Sequence, residues 1–145
     1  MGEEHQEKVL RDFKLVVKHQ ILLLRKAAGA HTSYFYWINR RRKQFVLESR
    51  STKHTNVIFQ DRISFDQHFL KPYMDITEVK QVEVGQDNEL DPSSLTHYFN
   101  DTPVEQIYLI PLVHNNETVA LTALEFQTKK ADKKRKSVVE SYLAG

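Results

Sequence analysis

The sequence predicts an α/β (α+β) fold in one domain, and three observations carry that prediction. Residues 3–28 keep helical spacing of apolar side chains with no Pro and no internal Gly. Residues 32–39 and 44–50 follow as a pair of strand-like runs. Residues 107–127 read as two apolar strands joined by a polar turn at Asn115-Asn116. At 145 residues the chain has the size of one domain and no room for two full cores.

On a helical wheel Val9, Leu10, Phe13, Val16, Val17, Ile21, Leu23, Leu24, Ala27 and Ala28 share one broad arc. Arg11, Asp12, Lys14, Lys18, His19, Arg25 and Lys26 fill most of the other. Leu15 and Leu22 stand one heptad apart inside that polar arc. They are either two tolerated exposed leucines or a second contact face for a partner helix. Gly29 ends the helix in the position where a left-handed residue is usual.

Residues 32–39 are dense in β-formers and apolar on both faces, which suits an interior strand. Arg40, Arg41, Arg42 and Lys43 make a basic turn, and Phe45 and Leu47 then alternate with polar neighbours in a strand nearer an edge. Between residues 51 and 91 the signals weaken. Val57-Ile58-Phe59 reads as a short strand, Ser64 or Asp66 as the cap of a short helix interrupted by Pro72, and residues 79–84 as another strand. Asp91-Pro92-Ser93-Ser94 opens a brief helix that Asn100-Asp101 closes. Pro111 inside the next strand demands a bulge or a strand end. After residue 129 the chain is basic. Val138, Val139, Tyr142 and Leu143 then resume helical spacing, in a helix expected to start near Lys136 or Ser137 because lysines disfavour a helix N-terminus.

Composition narrows the chemistry. With 40% hydrophobic and 28% charged residues the chain is ordinary for a globular protein, and its net charge of +2 does not make the whole a polyanion binder. The absence of cysteine removes disulfides, thiolate metal sites, thiol nucleophiles and thioether-linked chromophores. The acidic N-terminus is unlike a signal peptide, and the run Ile21-Leu22-Leu23-Leu24 falls far short of the ~20 apolar residues of a membrane span. A cytoplasmic location is expected.

The seven histidines, His5, His19, His31, His54, His68, His97 and His114, show no metal-ligand spacing. No Gly-x-Ser-x-Gly elbow and no glycine-rich phosphate loop occurs. Neither a catalytic residue nor a metal site is therefore expected. Residues 129–136 carry six basic and one acidic side chain, which makes them either a solvated helix start or, with residues 40–43, a patch for nucleic acid.

The order of long helix, hairpin, irregular middle, hairpin and terminal helix resembles the GAF domain family over residues 21–129. The most telling stretch, residues 110–124, is similar to the family's closing hairpin: an apolar strand ending in Pro111-Leu112, a polar turn, then small and aliphatic residues. Residues 28–34 are similar to its junction of first helix and first strand, while Ala120 stands where many members carry glycine. The resemblance implies a central antiparallel sheet with helices on both sides, divided here as helix 1–28, sheet core 29–128 and helix 129–145. It also implies paired terminal helices and a small-molecule pocket on the other face.

Phe59, Arg62, Phe69, Tyr73 and Tyr98 are the candidate lining of that pocket, the four aromatics having satellite core as their alternative role. The family's cyclic-nucleotide constellation is missing, Phe99-Asn100-Asp101 being a loose echo. Bilin attachment and sulfoxide reduction both need cysteines. The cofactor is accordingly unknown, with no covalent bilin.

The function these readings imply is a non-catalytic sensory or regulatory module. It would bind a small molecule or a partner and pair as a homodimer through Leu15 and Leu22, its output domain lying outside this chain. The alternative is a nucleic-acid-associated protein using residues 40–43 and 129–136.

Overall fold

The computed structural model describes residues 2–54, 57–85, 87–98, 104–128 and 133–144; for residues 2–7, 9, 10, 133, 134 and 142–144 it describes the backbone alone. The residues read above as the close of the brief helix, Asn100-Asp101, lie outside the described set. So do the side chains of Val9, Leu10, Tyr142 and Leu143.

Helix α1 spans Gly2–Ala28. Six antiparallel strands follow: β1 Thr32–Asn39, β2 Gln44–Thr52, β3 Arg62–Ser64, β4 Lys80–Glu83, β5 Gln106–His114 and β6 Glu117–Phe126. Helix α2 spans Lys133–Ala144. The strands form one sheet in the order β3-β2-β1-β6-β5-β4. Both hairpins expected from sequence are present, and β1 joins them by pairing with β6 from Thr32↔Glu125 to Trp37↔Ala120. That pairing makes β1 and β6 the doubly covered centre, which is why both read as apolar on two faces.

The two sheet faces are filled differently. Val17, Ile21, Leu24 and Ala28 of α1 pack with Phe35, Tyr108, Ile110, Ala120, Leu124, Phe126 and Val139 of α2. The opposite face holds the larger core, from Tyr34, Tyr36 and Ile38 through Phe45, Phe69 and Leu70 to Leu109 and Leu121. Among the described residues no long helix covers it. The segment between β2 and β5 does so with three short 3-10 turns, Phe65–Gln67, Lys71–Tyr73 and Pro92–Ser94.

Local chemistry fixes the ends of these elements. Gly29 takes φ +74°, a left-handed backbone that lets Gly29 N and Ala30 N return to the carbonyls of Lys26 and Arg25. Asn115 and Asn116, at φ 51° and 64°, make the tight turn between β5 and β6. Pro111 is accommodated because β4 reaches only Leu109, so beyond that point one side of β5 has no partner strand; a bulge follows between Leu112 and Val113. At the far end Arg40 ties three segments together. Its guanidinium donates to the carbonyls of Met74 and Thr118 and pairs with Asp75 and Glu117.

Several expectations are corrected. Val57-Ile58-Phe59 is not a strand and contributes one bridge, Val57↔Tyr98. Strand β3, three residues long, gave no sequence signal. The helix expected to begin near Lys136 or Ser137 begins at Lys133, because Arg135 is anchored: its guanidinium donates to Gln106 Oε1 and to Thr128 O and Oγ1, and lies 3.9 Å from the centre of the Phe126 ring. On α1, Phe13, Val16, Leu23 and Ala27 were expected to face the core and are exposed, whereas Arg25 of the polar arc is buried, its Nε donating to Ser51 Oγ.

Candidate functional site

Among the described residues one carboxylate is buried on the face of the larger core. Glu125 is fully buried near the end of β6, on the face it shares with Thr32 and Tyr34. Removing a carboxylate from water is expensive unless donors meet it. Three do. Tyr34 Oη donates to Oε2 at 2.6 Å, His97 Nε2–H donates to the same oxygen at 2.8 Å, and Tyr98 Oη donates to Oε1. A carboxylate only accepts, so His97 must carry its proton on Nε2.

Burial alone would push the Glu125 carboxyl upward. The charge and hydrogen bond of His97 and the two tyrosine hydroxyls outweigh burial and hold it below its ordinary range. Burial, and then the neighbouring Glu125 charge, push both tyrosine hydroxyls well above theirs, so Tyr34 and Tyr98 remain donors.

Aromatic rings enclose this network. His97 stacks on Phe59 with centroids 4.6 Å apart, and Tyr34 meets Phe59 at 5.2 Å. His31 and His54 meet edge to face at 4.5 Å, and both contact Tyr98. Burial lowers His31 to about 4 despite the opposing pull of Glu125, and it lowers His68 to about 3. Both rings are therefore neutral near pH 7. Accordingly His68 Nδ1 accepts the Leu70 backbone N–H at 3.1 Å. Scattered through the sequence, His31, His54 and His97 are gathered by the fold at one end of the sheet. Among the described residues no three metal-ligating side chains converge.

Of the five candidate pocket residues, Phe59, Phe69, Tyr73 and Tyr98 are buried together in the larger core. Arg62 is not with them; it is exposed on the edge strand β3. The cation that meets this aromatic set is Arg50 of β2, 5.5 Å from the centre of the Phe59 ring. The space that a ligand would fill is thus largely occupied by side chains. A cleft of about 170 Å³ remains at the rim, lined by Tyr36, Ile58, Gln60, Ile63, His68, Thr96 and His97. Glu125 was missed by sequence reasoning; the one available signal was a carboxylate inside an otherwise apolar strand.

On the helix-bearing face, Leu15 is 64% exposed and Leu22 half-buried. By helical spacing, Phe13, Val16 and Leu23 lie on the other flank of α1, and all three are exposed. Of these, Phe13 and Leu23 border a groove of about 670 Å³ lined also by Val17, Leu24, Ile110, Leu112 and Val138.

No family model and no curated protein matches the sequence. Solved structures do match in shape. The GAF domain region of a putative membrane protein from Geobacter sulfurreducens PCA aligns with TM-score 0.70 at 12% identity, covering 97% of this chain and 93% of that one. The GAF domain of a phosphoenolpyruvate-protein phosphotransferase from Coxiella burnetii aligns with TM-score 0.66 at 11% identity, covering 89% and 76%. A type II free methionine-R-sulfoxide reductase from Thermoplasma acidophilum aligns with TM-score 0.64 at 14% identity, covering 94% and 89%. Likeness at this identity concerns architecture alone, and there it is plain: the chain has the GAF fold.

Proposed function

We propose that this chain is a non-catalytic regulatory module that pairs with a second copy of itself along the face bearing α1 and α2. The observation that carries the proposal is the apolar surface left uncovered there. Phe13 and Leu23 on α1 and Leu112 on β5 line the groove and are all more than 40% exposed, and Val16 and Val113 on the same two elements are exposed as well. Contiguous apolar patches of this kind mark interaction sites more often than free surface. The regulatory reading is supported by the GAF domains among the structures of similar shape, one of them the blue-light absorbing form of a PixJ GAF domain from Thermosynechococcus elongatus.

Leu15 and Leu22, on the opposite flank of α1, serve as a subsidiary contact. The sensing half of the proposal rests on the other face, where Phe59, Phe69, Tyr73 and Tyr98 would form the wall of a small-molecule site opening from the cleft beside His68 and His97. A ligand there shifts the paired helices only if it binds one arrangement better than the other.

Sedimentation equilibrium tests the pairing. The wild type is expected at twice the monomer mass, and Val16→Glu combined with Leu23→Glu at monomer mass with unchanged circular dichroism. A monomeric wild type refutes the proposal. Dissociation by Leu15→Glu with Leu22→Glu, but not by the first pair, would move the interface to the other flank and refute the face named here.

A further inference from the structure

At the end of the sheet where β1 begins and β2 and β6 end lies a cavity of about 270 Å³, lined by Gly29, His31, Lys53, His54, Gln127, Thr128 and Arg135. Two of these side chains always carry positive charge near neutral pH, two are imidazoles, and none is acidic. Among the described residues, neither Lys53 nor Arg135 has a carboxylate partner within ion-pair distance.

The cationic side of the cavity is built rather than incidental. Arg135 is 8% exposed and His31 is 6% exposed. His31 shares Nδ1 with Thr32 Oγ1 at 2.8 Å, and its Nε2 is buried without a partner. A buried polar atom left unpaired is costly, and such atoms are rare enough to call for a reason. Lys53 is placed over the same space by its backbone N–H, which donates to the His31 carbonyl at 2.9 Å.

We propose that this cavity binds a small tetrahedral oxyanion, with phosphate as the simplest example. Charge selects an anion. The donor geometry bears on its shape: Arg135 commits three of its five N–H groups to Gln106 Oε1, Thr128 O and Thr128 Oγ1, which fixes the guanidinium in the cavity wall. The groups around the cavity are then the two uncommitted N–H groups of Arg135, the ammonium of Lys53 and the imidazoles of His31 and His54, approaching from separate elements, an arrangement that suits oxygens spread around a tetrahedron. The volume exceeds the ~30 Å³ share of one water several-fold, which leaves room for such an ion with some hydration.

The position matters for the rest of the molecule. His31 N donates to the Glu125 carbonyl at 3.1 Å, and Tyr98, which contacts the His31 ring, donates to the Glu125 carboxylate. An ion in this cavity therefore touches residues one step from the buried carboxylate, at the junction where α1 turns into β1. The site is independent of the proposed pairing face.

The test is a nuclear magnetic resonance titration of the full chain with potassium phosphate, ionic strength being held constant with potassium chloride. Saturable shifts are expected at the amides of His31, Lys53, His54, Gln127 and Thr128 below about 20 mM phosphate. Lys53 is exposed, so Lys53→Gln should leave the other resonances in place while weakening the titration at least about tenfold. A parallel titration with potassium acetate should saturate more weakly. The proposal is overturned by shifts that do not saturate or equal those of chloride, by undiminished binding in Lys53→Gln, or by acetate binding as tightly as phosphate.

Discussion

Glu125 shows at the scale of a single residue how this core accepts a charge. Its three donors come from β1 and from the loop after the last 3-10 turn, elements far apart in sequence, so the carboxylate ties the irregular segment to the sheet. Glu125→Gln keeps the shape but places an amide NH₂ where at least one donor now points. A loss of about 3 kcal/mol is expected from urea unfolding near neutral pH, and a loss under about 0.5 kcal/mol would contradict the network.

Protonation provides an independent check. His31 and His68 titrate at about 4 and about 3 when folded, against an ordinary value of 6.5, so between those limits the unfolded chain binds protons that the folded one does not. Their contribution is fully present above about pH 6.5 and declines as pH falls toward each folded value. Glu125, lowered by its partners, acts in the same direction at lower pH: its contribution is lost as pH falls through its folded value. Urea midpoints should therefore fall steadily from about pH 7 to about pH 5. His68→Asn should flatten that slope by up to roughly 1.4 kcal/mol per pH unit; an unchanged slope would mean that His68 is not held neutral.

At the scale of the element, the strongest sequence signals were those whose causes are local. The Asn115-Asn116 turn and the Gly29 stop depend on backbone angles that few residues accept, and both appear where the sequence put them. Gly29→Ala meets no atom within 4 Å of the added methyl, so its cost is the left-handed backbone itself. About 1 kcal/mol is expected by thermal unfolding, less for Gly29→Asn, and equal losses for the two would contradict a conformational origin.

Elements set by tertiary contacts were harder to read. β3 is three residues held by one neighbour, too short for alternation to show. The start of α2 was misplaced because lysines near a helix N-terminus cost only ~0.3–1 kcal/mol, less than the anchoring of Arg135 returns. The apolar arc of α1 was read correctly as apolar but wrongly as fully covered. Leu23 and Ala27 each precede a buried residue, Leu24 and Ala28, and so sit on the flank of the helix while their neighbours meet the sheet. The stripe of α1 that the sheet covers is therefore narrower than its apolar arc. Of the candidate site, aromatic identity was legible, but the gathering of His31, His54, His97 and Glu125 was not, since no spacing along the chain records which strand lies beside which.

For the whole molecule, topology bears on the two functional readings. Residues 40–43 sit at the β1–β2 turn, while α2 begins beyond the end of β6, which pairs with the start of β1. Residues 40–43 and the start of α2 thus lie at opposite ends of the sheet, and Arg40 is already committed to Asp75 and Glu117. Among the described residues, the two do not join into a single basic patch. The continuous uncovered feature is apolar and lies along α1, β5 and α2.

The absence of cysteine allows that face to be tested directly, because any cysteine introduced reports alone. Val16→Cys and Leu23→Cys, treated separately with a short bis-maleimide, should each give a covalent dimer at protein concentrations where Asp61→Cys, exposed beside β3, gives none. Cross-linking that is absent at both helix positions, or no greater there than at Asp61, would contradict pairing through this face.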